Sequence, residues 1–431
     1  MAFHPRENWN PATHRRQVFT RRDFLQRAAI LGIAIPALPG FLAACARRDA
    51  GETADLAIGT PQSPVQQPLF EDNPAIESGL SPETGPLLLY NWEDYMNAAI
   101  IPLAEAALGV EIRETTFLNE EQALARLSSG EVQFDVWFPT SQRIPVAVAA
   151  GLIQPINHDY LPNLGANVWP QLVDPYYDLG SRYSVPYVTY TSGVGYRIDL
   201  VDAADVEGKS NPWDIFWNPK YKGNIGVLDS FTDTIALVLL RNGVTDPFLA
   251  TEAELIAAGD SLVEALDLVE LQYSIDGSYS GIPEGRFGIH HAWSGDLVNS
   301  AYYWPDNVDL GTARYLWPAK SAGSTVRGPI SSDTMAVLKG SERPVLAHMF
   351  LDFMLDEANA LTNFEYVGYQ PPQINLTPEY LIGEGWAADY LEPALVVPED
   401  FELDTAWVQG PLDAPTEGLW SDQWTRFTSG G

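Results

Sequence analysis

From residue 86 onward two patterns of apolar positions alternate. Short unbroken runs such as Leu87-Leu88-Leu89-Tyr90, Phe134-Asp135-Val136-Trp137-Phe138 and Ile225–Leu228 have the length and density of strands buried on both faces. Between them lie segments with apolar residues at helical spacing. The pattern predicts helices over Ala98–Leu108, from a cap at Asn119 to Ser129, over Ile144–Ala150, from Asn211-Pro212-Trp213-Asp214, and over Thr234–Arg241, Thr251–Leu266 and Val345–Leu355. Further strands are expected at Val110–Thr115, across the β-branched and aromatic stretch 182–196, at Phe287–Trp293 and at Thr334–Leu338. Strand–helix alternation of this kind predicts an α/β architecture whose sheets are mostly parallel. Nothing repeats at a fixed period.

Before residue 86 the pattern differs. Residues 46–85 carry Pro61, Pro64, Pro68, Pro74 and Pro82 among Gly, Ser, Thr, Gln and acids, without sustained periodicity, and read as a flexible tether. Residues 28–44 are uncharged but interrupted by Gly32, Pro36, Pro39 and Gly40, too short and broken for a spanning helix. Upstream, Thr20-Arg21-Arg22-Asp23-Phe24-Leu25 resembles a twin-arginine export motif, and Leu42-Ala43-Ala44-Cys45 resembles a lipobox. That resemblance implies a signal peptide over 1–44, removed to leave a lipid on Cys45, with 45–85 tethering the folded part to a membrane. Cys45 is the only cysteine, so no intrachain disulfide forms.

With 431 residues the chain exceeds one ordinary core, which predicts two domains. Asp and Glu total 57 against 24 Lys and Arg, a net charge of −33. This disfavours nucleic acid, whose phosphates need a basic footprint. It raises the local concentration of cations, although solubility or salt adaptation produces the same excess.

Candidate chemistry sits where strands end. Trp92-Glu93-Asp94-Tyr95 closes the first apolar run, and polar turns follow at Thr140–Gln142, Asp229–Asp233, Trp293–Asp296 and Ser331–Asp333. In open α/β sheets ligands bind at strand carboxyl ends. A ring beside a carboxylate suits an organic cation, through cation–π attraction and charge pairing. The same residues also fit core rings beside solvated acids. Asp229 reads as structural. His290 and His291 point to opposite faces of one strand, so they are not expected to share a metal.

Over roughly residues 86–428 the chain resembles the spermidine/putrescine-binding proteins, extracytoplasmic receptors of ATP-driven polyamine importers. The resemblance rests on ordered signs: Tyr90–Tyr95, Pro139-Thr140-Ser141, Tyr183–Tyr187, Tyr221-Lys222-Gly223, Trp293-Ser294-Gly295-Asp296, Tyr369-Gln370-Pro371-Pro372 and Leu419–Phe427. It implies that Trp92, Tyr95 and Trp293 pack on a polyamine, and that Asp94, Asp233, Asp296 and Asp333 pair its amines. It implies that Thr140 and Gln370 add polar contacts. Gln142 and Ser331 depart from aromatics found in the family.

It also implies a two-lobe type II periplasmic-binding fold with the ligand between lobes. Expected boundaries are 86–190 plus 297–335 for lobe 1 and 191–296 plus 336–431 for lobe 2, with crossings near 187–196, 293–299 and 333–340. No cofactor, metal or catalysis is expected. The expected partners are a polyamine, a membrane permease and, through the lipid alone, the membrane; the protein itself is expected to be monomeric and extracytoplasmic. Rival readings are a sugar- or peptide-binding protein and, further off, a glycoside hydrolase built on two of the acids. The chain has no nucleophile elbow, zinc motif or phosphate loop.

Overall fold

The structure, a computed structural model, describes residues 56–430 except 131, 306, 307 and 413. The expected signal peptide and Cys45 lie outside the described residues. No helix among the described residues is long and apolar enough to cross a membrane.

The chain begins its first α/β series with β1 (Leu87–Trp92), α1 (Ile100–Leu108), β2 (Ile112–Phe117), α2 (Glu120–Ser129), β3 (Val136–Trp137) and α3 (Ile144–Ala149). β1 buries both faces as its composition predicts, Leu87 and Leu89 in one cluster and Tyr90 in another. The Asn119 side chain caps α2 by accepting the Gln122 N–H at 3.0 Å. The helix stops at Gly130, whose φ of 68° is the left-handed conformation a helix C-terminus favours. β2 starts two residues later than expected, because Val110 belongs to the loop leaving α1.

β4 (Val185–Arg197) then runs through both lobes. Val185 and Tyr187 pack in the first core and Val194 and Tyr196 in the second. The second series comprises β5 (Ile225–Val227), α4 (Phe231–Arg241), α5 (Glu252–Leu268), β6 (Gln272–Tyr273), β7 (Ile289–Trp293), α6 (Ser294–Asn299) and β8 (Ala313–Leu316). The helix expected from Asn211 is a 3-10 helix at Pro212–Trp217. Trp213 and Phe216, three residues apart, are both buried, which suits three residues per turn. β9 (Gly328–Val337), α7 (Pro344–Leu355), α8 (Glu357–Val367), β10 (Ala406–Val408) and α9 (Ala414–Ser429) complete the chain.

Sheet order is β2-β1-β3-β9-β4-β7-β5-β6, with β8 on β4 and β10 on β9. The outer pairs β1–β2, β1–β3, β5–β6 and β5–β7 are parallel. The central pairs β3–β9, β4–β9 and β4–β7 are antiparallel. The result is two parallel series joined through antiparallel strands.

The later segments divide between the two halves of the sheet. β8, expected with lobe 1, hydrogen-bonds to Val194–Arg197 in the lobe 2 half of β4, while β9 pairs with the lobe 1 half. In α7, expected with lobe 2, Leu346 and Phe350 lie in the lobe 1 core; in α9, Trp420 and Phe427 lie in the lobe 2 core. Periodicity reveals that a helix has an apolar face, not which core receives it.

Residues 56–85 are not a free coil beside the fold. Gln67 donates its amide to the Ala57 and Tyr177 carbonyls, Asn73 to the Ile153 carbonyl, and Tyr183 its hydroxyl to the Pro68 carbonyl. Glu83 accepts the Val345 and Leu346 N–H groups at the start of α7. Scattered polar bonds, with Phe70 packed on one core cluster, hold this segment, and they leave no hydrophobic period to read.

Candidate functional site

The acid–aromatic turns converge where the two series face each other, but several of them belong to regular elements. Ser331–Asp333 lies inside β9, which begins six residues before the expected strand. Ser294–Asp296 is the first turn of α6. Both acids are nearly sealed, Asp333 at 5% and Asp296 at 4% exposure.

Asp333 accepts the Tyr95 hydroxyl at 2.7 Å on one carboxylate oxygen and the Tyr190 hydroxyl at 3.2 Å on the other. Burial pushes its carboxyl up to about 7; the Glu120 and Asp233 charges add to the rise, and the two hydroxyls oppose it. Its β-bridge partner is Thr140. Thr140 in turn gives its N–H at 2.8 Å and its hydroxyl at 2.9 Å to Glu120.

Asp296 accepts the Tyr369 hydroxyl at 2.7 Å and the Ser278 hydroxyl at 2.5 Å. Burial raises its carboxyl to about 6 against both bonds. Gly295 explains the Trp-x-Gly-Asp spacing: a Cβ there would stand 2.3 Å from the Tyr369 ring. Only glycine lets that ring lie on the helix start with its hydroxyl on the next residue.

Tyr369 also joins the two acids. Its ring meets Tyr95 edge-on at 5.3 Å and Tyr190 at 5.6 Å, the two tyrosines bonded to Asp333. Tyr187 holds this group in place: it donates to the Tyr95 carbonyl and accepts from Asn363 at 2.8 Å.

Trp293 ends β7 and donates its indole N–H to Asp233 at 3.3 Å. Asp233 stands in the first turn of α4 and accepts the Ser230 hydroxyl at 2.6 Å. Burial raises its pKa. Asp94 has φ of 55° and receives the Tyr366 hydroxyl at 3.4 Å. The Asp94 and Asp296 charges both reach the half-buried Tyr279 and Tyr303, whose rings are 5.1 Å apart. The carboxylates thus form two groups, Asp94 with Asp296 and Asp333 with Asp233, separated by tyrosine rings.

Two of the expected residues make bonds of their own within the fold. Trp92 is half-buried at the end of β1, its indole N–H on the Phe138 carbonyl at 2.9 Å. Gln370 is fully buried, and its amide nitrogen is committed to the Pro371 and Leu376 carbonyls. It shapes the loop that presents Tyr369. Sequence reasoning chose Gln370 as the polar member of that motif and passed over the tyrosine beside it. It also passed over Tyr190, Tyr279, Tyr303 and Glu120; a tyrosine in a strand or an acid opening a helix looks the same whether or not it faces a cleft. Asp229 is exposed.

His290 and His291 are buried on opposite faces. His290 packs on Phe287, and His291 lies between Trp213 and Phe216. Burial lowers their pKa values to about 4 and about 3, so both rings are neutral.

Two solved structures share the fold: the TpPotD lipoprotein of Treponema pallidum, with TM-score 0.66, 18% identity and coverage of 79% of this chain and 99% of that one; and the spermidine/putrescine ABC transporter substrate-binding protein PotD of Streptococcus pneumoniae, with 0.64, 22%, 80% and 99%. In sequence, the putrescine/cadaverine-binding protein of Pseudomonas aeruginosa is 26% identical over 300 residues, covering 68% of this chain and 80% of that one. The putrescine-binding periplasmic protein PotF of Escherichia coli is 26% identical over 370 residues, covering 81% and 93%. The names of these relatives describe substrate binding, not catalysis. Residues 98–389, well over half the chain, match the bacterial extracellular solute-binding proteins, and the chain belongs to that family.

Proposed function

We propose that this protein captures a polyamine, of the putrescine and spermidine class, between its lobes. It then hands the polyamine to the permease of an ABC importer. One observation carries the reading. Asp233, Asp296 and Asp333 are held by hydroxyls and an indole, and among the described residues none of them has a Lys or Arg within 4.0 Å. Buried carboxylates without a cation are costly. A protonated amine placed among them supplies the missing charge through charge-assisted hydrogen bonds. Its methylenes gain about 0.8 kcal/mol each when buried against rings such as Trp293 and Tyr369. Trp92, Asp94, Tyr95 and Thr140 complete the contact set, with Gln370 supporting Tyr369. The names of the sequence relatives agree with this ligand class.

Calorimetric titration with putrescine, cadaverine and spermidine tests the reading. Saturable binding of at least one amine is expected, with a thermal shift that grows with its concentration. No heat from any of the three, with a shift from a sugar or peptide instead, would replace the polyamine by that solute.

The proposed cellular position is the extracytoplasmic side, held by a lipid on Cys45. Cys45→Ser is expected to move the protein from the membrane fraction into the soluble extracytoplasmic fraction. Retention of the variant in membranes would remove the lipid anchor from the proposal.

A further inference from the structure

Residues 57–73 lie upstream of the matched region 98–389, yet their bonds close around one of its loops, residues 174–184. Val65 donates its N–H to the Tyr176 carbonyl at 2.9 Å, and its own carbonyl accepts the Leu179 N–H at 2.9 Å. Gln67 is buried and gives its amide to the Tyr177 carbonyl at 2.8 Å and back to Ala57 at 2.9 Å. Arg182 and Tyr183 donate to the Gln67 and Pro68 carbonyls. At Gly59 a Cβ would stand 2.2 Å from the Tyr176 carbonyl oxygen, so only glycine lets the segment lie this close. Phe70 packs on the cluster that holds Tyr177 and Tyr183.

The clamped loop leads to Asp333 by two routes. Along the backbone, Asp178 accepts the Tyr183 and Ser184 N–H groups at 2.8 and 3.0 Å and so fixes the entry to β4. β4 then pairs with β9, Val188 opposite Asp333, and Tyr190 donates its hydroxyl to that carboxylate. Through side chains, the Tyr176 hydroxyl lies beside Ser141 and the Tyr177 hydroxyl beside Ser332. Ser141 follows Thr140, the bridge partner of Asp333, and Ser332 precedes Asp333 itself. A loop without regular structure keeps its place only while its backbone groups have partners. Without residues 57–73 the Tyr176 and Tyr177 carbonyls and the Leu179 N–H lose theirs. Asp296 shares none of these contacts, being held by Ser278 and Tyr369.

We propose that residues 57–73 are a positioning strap for the ligand site: docked on the 174–184 loop, they hold Asp333 where it can pair an ammonium, so that polyamine affinity depends on a segment upstream of the matched region. This rests on the polyamine reading above and adds a determinant of affinity to it. The strap touches no ligand. It acts through the loop, the entry to β4 and the residues flanking Asp333 and Thr140. Its release should therefore cost the affinity that Asp333 supplies and leave the share of Asp296 in place.

The test is a double-mutant cycle on the full chain, read by calorimetry with putrescine. Gly59→Val together with Gln67→Leu drives the strap off the loop, by a clash with the Tyr176 carbonyl and by loss of both amide bonds. In the wild-type background this pair is expected to weaken putrescine binding about tenfold. In Asp333→Asn it should add no more than about twofold, because the carboxylate that the strap positions is gone. In Asp296→Asn it should again cost about tenfold. Wild-type affinity in the strap variant overturns the proposal. So does a loss of equal size in Asp333→Asn, which would make the strap a general support of the fold. Either result leaves the polyamine reading intact. If the paired substitution lacks a cooperative melt, Gln67→Leu decides alone through the same cycle and by the same outcomes, since leucine keeps the volume and removes the amide bonds. A wild type that binds none of putrescine, cadaverine and spermidine defeats the polyamine reading, and this proposal with it.

Discussion

Asp296→Asn is expected to bind putrescine about ten- to a hundredfold more weakly than wild type. The substitution keeps the shape of the side chain and one of the two oxygens that accept from Tyr369 and Ser278. What it removes is charge at a nearly sealed position. A hydrogen bond to a charged group contributes roughly 1.5–3 kcal/mol, and each 1.4 kcal/mol is about tenfold in affinity. Trp293→Ala should weaken binding too, by losing ring contact with the ligand and releasing Asp233 from its indole bond. Asp229→Asn is the control, since that residue is exposed and should matter far less. Titration of the three variants beside wild type checks the set. Wild-type affinity in Asp296→Asn would remove the polyamine from this cleft.

Affinity should also fall steeply on acidification from pH 8 to pH 5. Asp333 and Asp296 are raised by burial to about 7 and about 6. At pH 8 both are carboxylates, ready for a cation. At pH 5 they must first lose protons, at a cost of about hundredfold for a carboxyl two units above the pH and about tenfold for one a single unit above. Together these bound the fall at on the order of a thousandfold. The amines stay charged throughout, as a lysine-like amine does. His290 and His291 are already neutral above about pH 4 and do not contribute.

Stability runs the other way. The native state holds protons on these two carboxyls that the unfolded chain releases near pH 4, so their contribution without ligand falls as pH rises from about 4 to about 7. The ligand-induced rise in melting temperature should therefore be larger at pH 8 than at pH 5. Near pH 6.5, binding should release protons, seen as heats that vary with the ionisation enthalpy of the buffer. A flat affinity between pH 5 and pH 8 would exclude Asp333 and Asp296 as the ligand's partners.

The family and the two-lobe class were legible in the sequence, because each is carried by short-range information. β1 announces itself by an unbroken apolar run, and α2 by its cap at Asn119 and stop at Gly130; acids beside rings at strand ends supply the proposed ligand partners. Which strands would run antiparallel through the middle was not legible. The pairing of β4 with β9 joins residues more than a hundred apart, and neither strand's composition names its partner. The same holds for the docking of α7 and α9 on different lobes, and for residues 56–85, whose attachments are scattered and without a period. In the site, the sequence alone determined that Asp296 follows a glycine and that Asp333 is flanked by polar residues. Only the tertiary structure decided that Tyr369 reaches over Gly295 to Asp296, that Tyr95 and Tyr190 share Asp333, and that Arg143 pairs with Glu120 while Asp333 has no ion-pair partner among the described residues, because burial and charge pairing depend on side chains that meet from distant parts of the chain.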